Sequence, residues 1–226
     1  MSIDVKRVDV LTIDGPSGVG KSTVSRKIAA ELDYAYLDTG AMYRAVGIYL
    51  KDQGVDFADT DKISSCLTDI VLELLSATSI LEDTGVIING NDVSKRIRTP
   101  EAGMIASDVS AIGVVRAKLT ELQRALGEQG KIVAEGRDMG TVVFPSARYK
   151  FFLDAKPEVR AERRFKQLKA KGETPDFNEI LAQTILRDKN DSEREIAPLK
   201  QAEDAVYIDT SSMDINQVAD SIVEKL

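Results

Sequence analysis

The chain contains no histidine. That absence removes imidazole general bases, Ser-His-Asp arrangements and His-ligated zinc from its chemistry. A single cysteine, Cys66, excludes an intramolecular disulfide and fits a reducing cytoplasm. It falls on the apolar side of a helical pattern and reads as a small core residue, not a reactive thiol. No apolar run approaches the roughly 18 residues needed to span a bilayer. The opening Met-Ser-Ile-Asp-Val-Lys-Arg-Val lacks the apolar stretch of a signal peptide, so a cytoplasmic protein with no membrane partner is expected. A net charge of −7 argues against a nucleic-acid partner, which would require a basic face. Chemistry must therefore rest on Lys, Arg, Asp, hydroxyls and a metal held by oxygen ligands.

What is present is an ordinary globular composition, 43% apolar and 30% charged. Its length supports one α/β domain with an insertion, or two small domains. The most informative stretch is Gly15-Pro16-Ser17-Gly18-Val19-Gly20-Lys21-Ser22, which fits G-x-x-x-x-G-K-[ST]. The pattern arises by chance in about one unrelated chain of this length in a hundred. Its context lowers that further, because Val8–Ile13 reads as a buried strand and Val24, Ile28 and Leu32 mark one face of a following helix. Glycines let successive N–H groups point at anionic oxygens, and the helix adds its free amides and dipole. Lys21 would reach the β- and γ-phosphates of a nucleotide, and the Ser22 hydroxyl would ligate the accompanying Mg²⁺.

Five segments read as buried strands: 8–13, 34–37, 131–134, 149–153 and 205–209. Helical patterns separate them, among them Ile63, Leu67, Ile70, Val71 and Leu74, then Leu119, Leu122 and Leu126, and finally Ile215, Val218, Ile222 and Leu226. Alternation of strand and helix predicts an α/β fold with a five-stranded parallel sheet flanked by helices. Ligands collect at the carboxyl ends of such strands, so the loops at 15–20, 38–40 and 136–138 are expected to share a cleft. Residues 68–105 break the rhythm. Turn signals at Asp83-Thr84-Gly85 and Asn89-Gly90-Asn91 around Val86-Ile87-Ile88 predict a small inserted meander. The expected division is a core of 1–67 and 106–226 with an insertion at 68–105. Lys169 to Asp176 separates two helical runs and suits a mobile lid at about 157–176.

Several arginines accompany these loops. In Asp38-Thr39-Gly40-Ala41-Met42-Tyr43-Arg44, Thr39 could cap the next helix, and Arg44 could be a surface charge or an anion ligand. In Gly136-Arg137-Asp138-Met139-Gly140, the Arg-Asp pair could be a structural salt bridge. Beside a phosphate loop, it could instead grip an anion and accept from a base or sugar. Arg160, Arg163 and Arg164 suit a lid closing over phosphates, although a solvated charged face is the commoner reading of such a run. Arg187, Asp191 and Arg194, at i, i+4 and i+7, would share one helical face, either as a salt-bridge ladder or as a two-pronged phosphate grip. Phosphoryl transfer needs such parts: cationic stabilisation and positioning instead of covalent chemistry.

Taken together, the phosphate loop, Leu37–Arg44, Gly136–Pro145 and Arg194-Glu195-Ile196-Ala197-Pro198-Leu199 resemble the bacterial cytidylate kinases, from about residue 8 onward. The resemblance implies a P-loop nucleoside monophosphate kinase with a small inserted NMP-binding subdomain and a short lid. It implies ATP as phosphoryl donor with Mg²⁺, CMP and dCMP as acceptors, and a monomer. ATP would be held by Gly15, Pro16, Ser17, Gly18, Val19, Gly20, Lys21, Ser22 and Thr23, with Arg160, Arg163 and Arg164 from the lid on ATP or the transferring phosphoryl. Thr39, Tyr43, Arg44, Ser107, Arg116, Arg137, Asp138, Arg187, Asp191 and Arg194 would line the CMP site. Lys21, Arg137, Arg163 and Arg164 would carry catalysis. Thr39 stands where serine is common in the family, Glu135 where aspartate is, and Ser146 replaces a common aspartate. A kinase for UMP, AMP or another small acceptor is the near alternative. A nucleotide-hydrolysing switch is the distant one, and no Asn-Lys pair of a guanine-reading motif is present.

Overall fold

The computed structural model describes residues 8–75 and 84–226. The opening Met1 to Arg7 and the Asp83 of the expected turn lie outside the described residues. Strand β1 (Val8–Asp14) leads through the Gly-rich loop into α1 (Lys21–Leu32), followed by β2 (Ala35–Asp38), α2 (Thr39–Asp52) and α3 (Thr60–Leu67). Short strands β3 (Leu72–Leu75), β4 (Gly85–Ile88) and β5 (Asn91–Asp92) precede a 3-10 turn at Arg96–Arg98, α4 (Pro100–Ser110) and α5 (Gly113–Gly127). Then come β6 (Ile132–Gly136), a π-helical turn at Met139–Val143, β7 (Ala147–Asp154), α6 (Pro157–Ala170), α7 (Phe177–Glu193), β8 (Val206–Asp209) and α8 (Ile215–Val223).

The five expected strands form one sheet in the order β2-β6-β1-β7-β8, with β1 parallel to both of its neighbours. Leu11, Ile13, Val133, Phe151 and Leu153 are buried in it, which explains why these strands read as near-continuous apolar runs. Val24 and Ile28 seat α1 with no exposed surface. A second, antiparallel sheet runs β3-β4-β5. Asn89 and Gly90 join β4 to β5, both at positive φ (47° and 78°), as a two-residue hairpin turn requires.

Two compact units result. One comprises the chain up to Ala35 and from Gly130 onward, and the other is Tyr36–Gln129. The second unit is wider than the 68–105 segment marked by turn signals, because α2 packs on α4 and α3 on α5. Helix-on-helix packing of that kind leaves no punctuation in the sequence. The apolar series from Ile63 to Leu74 is also not one helix. It stops at Leu67, and residues 72–75 pair with β4 as a strand. Val71, expected on the apolar helical face, is 56% exposed. Cys66, expected in the core, is half-buried on α3.

Candidate active site

In the first unit, the end of β1 and the start of α1 make an anion-binding cradle. Gly15 has φ 148°, and a Cβ there would sit 2.0 Å from the Leu153 carbonyl oxygen of β7, so no side chain fits. Helix α1 opens at Gly20 with no side-chain cap and no acidic residue in its first turn. Its leading amides and positive dipole end therefore face an anion without competition. The Lys21 ammonium donates to the carbonyls of Gly15 (2.8 Å) and Pro16 (2.7 Å). Burial, reinforced by the nearby Arg137 charge, lowers the Lys21 pKa to about 7 against the opposing pull of Glu135, Asp14 and Asp191. A phosphate group would add counter-charge beside this buried lysine.

The Gly136–Gly140 turn lies against the same cradle. Parallel pairing sets Asp14 opposite Gly136, and the Asp14 carboxylate accepts from the amides of Met139 (2.9 Å) and Gly140 (2.8 Å). Burial raises the Asp14 pKa to about 6 despite these two hydrogen bonds. Arg137 Nε donates to Asp191 Oδ2 at 2.8 Å. Burial alone would raise the Asp191 pKa, but Arg137, Arg187 and Arg194 hold it below the ordinary carboxylate range. Arg194 stands 3.7 Å from Asp138 and donates through Nε to the Ala197 carbonyl at 2.7 Å. Arg194 is not the third rung of a helical face, because α7 ends at Glu193 and Arg194 caps it in an extended conformation. The chain turns there toward Pro198, and that turn, not helical spacing, brings its guanidinium to Asp138.

The arginines of α6 divide. Arg160 is 3% exposed and donates to Ala155 O (2.8 Å), Ser17 O (3.1 Å) and both oxygens of Asp188. Arg163 donates to Thr210 O at 2.5 Å and to Val19 O at 3.4 Å. Both thus hold phosphate-loop carbonyls and tie α6 to its surroundings. Arg164, next along α6, is half-buried.

In the second unit, Asp38 caps α2 by accepting from the Ala41 amide at 2.8 Å. The cap is therefore Asp38 and not Thr39, which is buried as the first helical residue. The same carboxylate accepts from Arg44 (3.2 Å) and Arg98 (3.4 Å). Arg116 is buried, lies 5.6 Å from the Tyr43 ring centre and donates to Ser110 O. Ser107 is half-buried on α4, the same helix as Ser110.

The cytidylate kinase family model matches residues 11–226, which include the phosphate loop, the Arg137 turn and α7. The chain belongs to the cytidylate kinase family. It is 46% identical over 217 residues to the cytidylate kinase of Oleidesulfovibrio alaskensis, covering 96% of this chain and 97% of that one. To the cytidylate kinase of Thermodesulfovibrio yellowstonii it is 48% identical over 218 residues, with the same coverage, 96% and 97%. It also matches, at 46% identity, 42% of the length of a bifunctional pantoate ligase/cytidylate kinase from Synechocystis. Cytidylate kinase membership agrees with the resemblance carried by the motifs, and the parallel sheet agrees with the expected fold. Among the described residues, no helix is long and apolar enough to cross a membrane.

Sequence reasoning missed three residues that hold these elements. Asp14 was signalled only by a carboxylate closing a strand whose residues 10–13 are otherwise uncharged. Asp188 was hidden beside Arg187. Arg98 lies in an irregular stretch far from any motif, and nothing local pointed from it to Asp38.

Proposed function

We propose that this chain transfers the γ-phosphoryl group of ATP to CMP or dCMP, giving ADP with CDP or dCDP. The observation that carries the proposal is a cytidylate kinase match that spans both the uncapped phosphate cradle and the Arg137–Asp191 turn. Gly15 to Thr23 hold the ATP phosphates, and Lys21 takes the β- and γ-oxygens. Mg²⁺ fits the donor set: Ser22 offers a hydroxyl in the first turn of α1, and the described residues contain no acidic or thiol cluster able to cage a metal instead. Bound there with ATP, Mg²⁺ would neutralise charge on the phosphate oxygens. The residues assigned to CMP are Thr39, Tyr43, Arg44, Ser107, Arg116, Arg137, Asp138, Arg187, Asp191 and Arg194. Arg160 and Arg163 act on the ATP side through the Ser17 and Val19 carbonyls, and Arg164 is assigned to the transferring phosphoryl.

The acceptor phosphate is already an anion near neutral pH, so no general base is needed. The arginines screen repulsion between two anionic substrates and let the acceptor oxygen attack in line. A coupled assay with ATP, Mg²⁺ and a panel of CMP, dCMP, UMP and AMP tests this. The highest kcat/KM is expected for CMP and dCMP. A preference for UMP or AMP, or ATP hydrolysis that needs no acceptor, overturns it.

A further inference from the structure

The motifs did not single out Asp14 for substrate, yet it is the link between two elements that must stay in register. It closes β1 immediately before the phosphate loop, and it is 4% exposed. Its two oxygens are divided between adjacent amides, Oδ1 with Met139 and Oδ2 with Gly140. A larger residue at 140 would press on its neighbours. A Cβ on Gly140 would meet Thr12 Oγ1 at 3.1 Å, Lys150 Cδ at 3.3 Å and Asp14 Oδ2 at 3.4 Å. The π-helical turn that follows, Met139–Val143, is an uncommon backbone form found often at functional sites.

We propose that Asp14 is a positioning residue for phosphoryl transfer, its carboxylate clamping the amides of Met139 and Gly140 so that Arg137 and Asp138 are held in register with the phosphate loop. This rests on the kinase reading for its effect on turnover, but not for the clamp itself. Both amides are donors, so only an ionised carboxylate satisfies both fully. Asparagine, or a protonated Asp14, offers one good acceptor and turns a donor toward the other amide. A 1 Å misplacement of a transferring group's ligands is enough to cost turnover without loss of fold.

The test is Asp14→Asn, with Gly140→Ala as a second variant that displaces the turn without removing charge. At pH 8, Asp14→Asn is expected to lower kcat about tenfold with KM for ATP within twofold of wild type. The ratio of wild-type to D14N kcat should fall toward one below pH 6, where the wild-type carboxyl takes up its own proton. Taking the ratio cancels the titration of the substrates and of the other charges around Asp14: Lys21 from α1, Glu135 from β6, Arg137 and Asp138 from the turn, and Lys150 from β7. In parallel, the amide resonances of Met139 and Gly140 should titrate together near pH 6 in wild type and stay flat in D14N. That measurement decides the clamp whichever nucleotide proves to be the acceptor. Met139 and Gly140 amide shifts that are the same in D14N as in wild type at pH 7.5 overturn the clamp. A D14N enzyme of unchanged kcat at pH 8 overturns the positioning role. Should D14N fold poorly, G140A with shifted Met139 amide resonances and normal kcat would count against it equally.

Discussion

The Arg137 turn is held from two sides by two buried carboxylates in opposite electrostatic settings. Asp191, on α7, grips the turn through a side chain and is surrounded by Arg137, Arg187 and Arg194, which hold its pKa down. Asp14, on β1, grips the turn through two backbone amides, and its pKa is pushed up to about 6. Neutral amides stabilise a carboxylate by hydrogen bonding but bring no net charge, so burial wins at Asp14 and loses at Asp191. The difference separates two tasks. The Asp191 side collects cations, which the proposed function assigns to CMP. The Asp14 side fixes backbone geometry at a cost in stability, a trade common in active sites.

Removing the shared element gives the largest expected effect. Arg137→Ala takes away the cation facing both carboxylates and should lower kcat about 100- to 1,000-fold, the usual loss for one donor to a developing charge. The fold should survive, because Arg187 and Arg194 still neutralise Asp191. Steady-state kinetics with CMP, alongside a circular dichroism melt, checks both halves. Near-normal turnover would remove Arg137 from the chemistry.

The two carboxylates also differ in how far sequence could reveal them. Arg137 and Asp191 stood in motifs whose spacing announces anion chemistry, and the parallel sheet was legible because buried strands leave unbroken apolar runs. Asp14 was not legible, since its partners are amides 125 and 126 residues away and backbone donors carry no residue identity. The arginines of α6 show a related limit. Their number and spacing were visible, but the use of Arg160 by Asp188 and Ser17 depends on how α6 and α7 pack. Helical periodicity also overran the ends of α3 and α7, because strand pairing and a turn toward Pro198 decide where those helices stop.

Stability against pH should separate the two carboxylates next. Asp14 has a folded pKa near 6, above its ordinary 3.8. The unfolded chain therefore ionises first as pH rises, and stability is lost between about pH 4 and pH 6. By linkage that loss is roughly 3 kcal/mol, an order-of-magnitude figure for a fully buried group. Asp191 has the opposite sign: its contribution is present above its unfolded pKa and fades only as pH falls through the lower folded value. Wild type should thus lose on the order of 5 °C in Tm relative to Asp14→Asn between pH 4 and pH 6.5. Asp191→Asn should show no relative change across that window. Parallel melting curves for wild type and D14N would mean that Asp14 ionises as readily in the folded protein as outside it.

Lys21 senses both carboxylates and supplies the smallest effect. Its pKa is about 7, with Asp14 and Asp191 both pulling it upward against burial and Arg137. At pH 8 most of the free protein therefore carries a neutral Lys21, while a bound triphosphate strongly favours the ammonium. ATP binding at pH 8 should take up a fraction of a proton, approaching one, measurable by calorimetry in buffers of different ionisation enthalpy. At pH 6 the uptake should vanish, because the lysine is already charged. Replacing Asp191 by Asn removes one upward pull, so the pH at which uptake begins should move lower. Replacing Asp14 by Asn should move it in the same direction. At pH 8, where both carboxylates are ionised, the two shifts compare how strongly each charge reaches the phosphate cradle. Uptake that is absent at pH 8 in wild type would place the Lys21 pKa well above 7, with the burial penalty already compensated before ATP arrives.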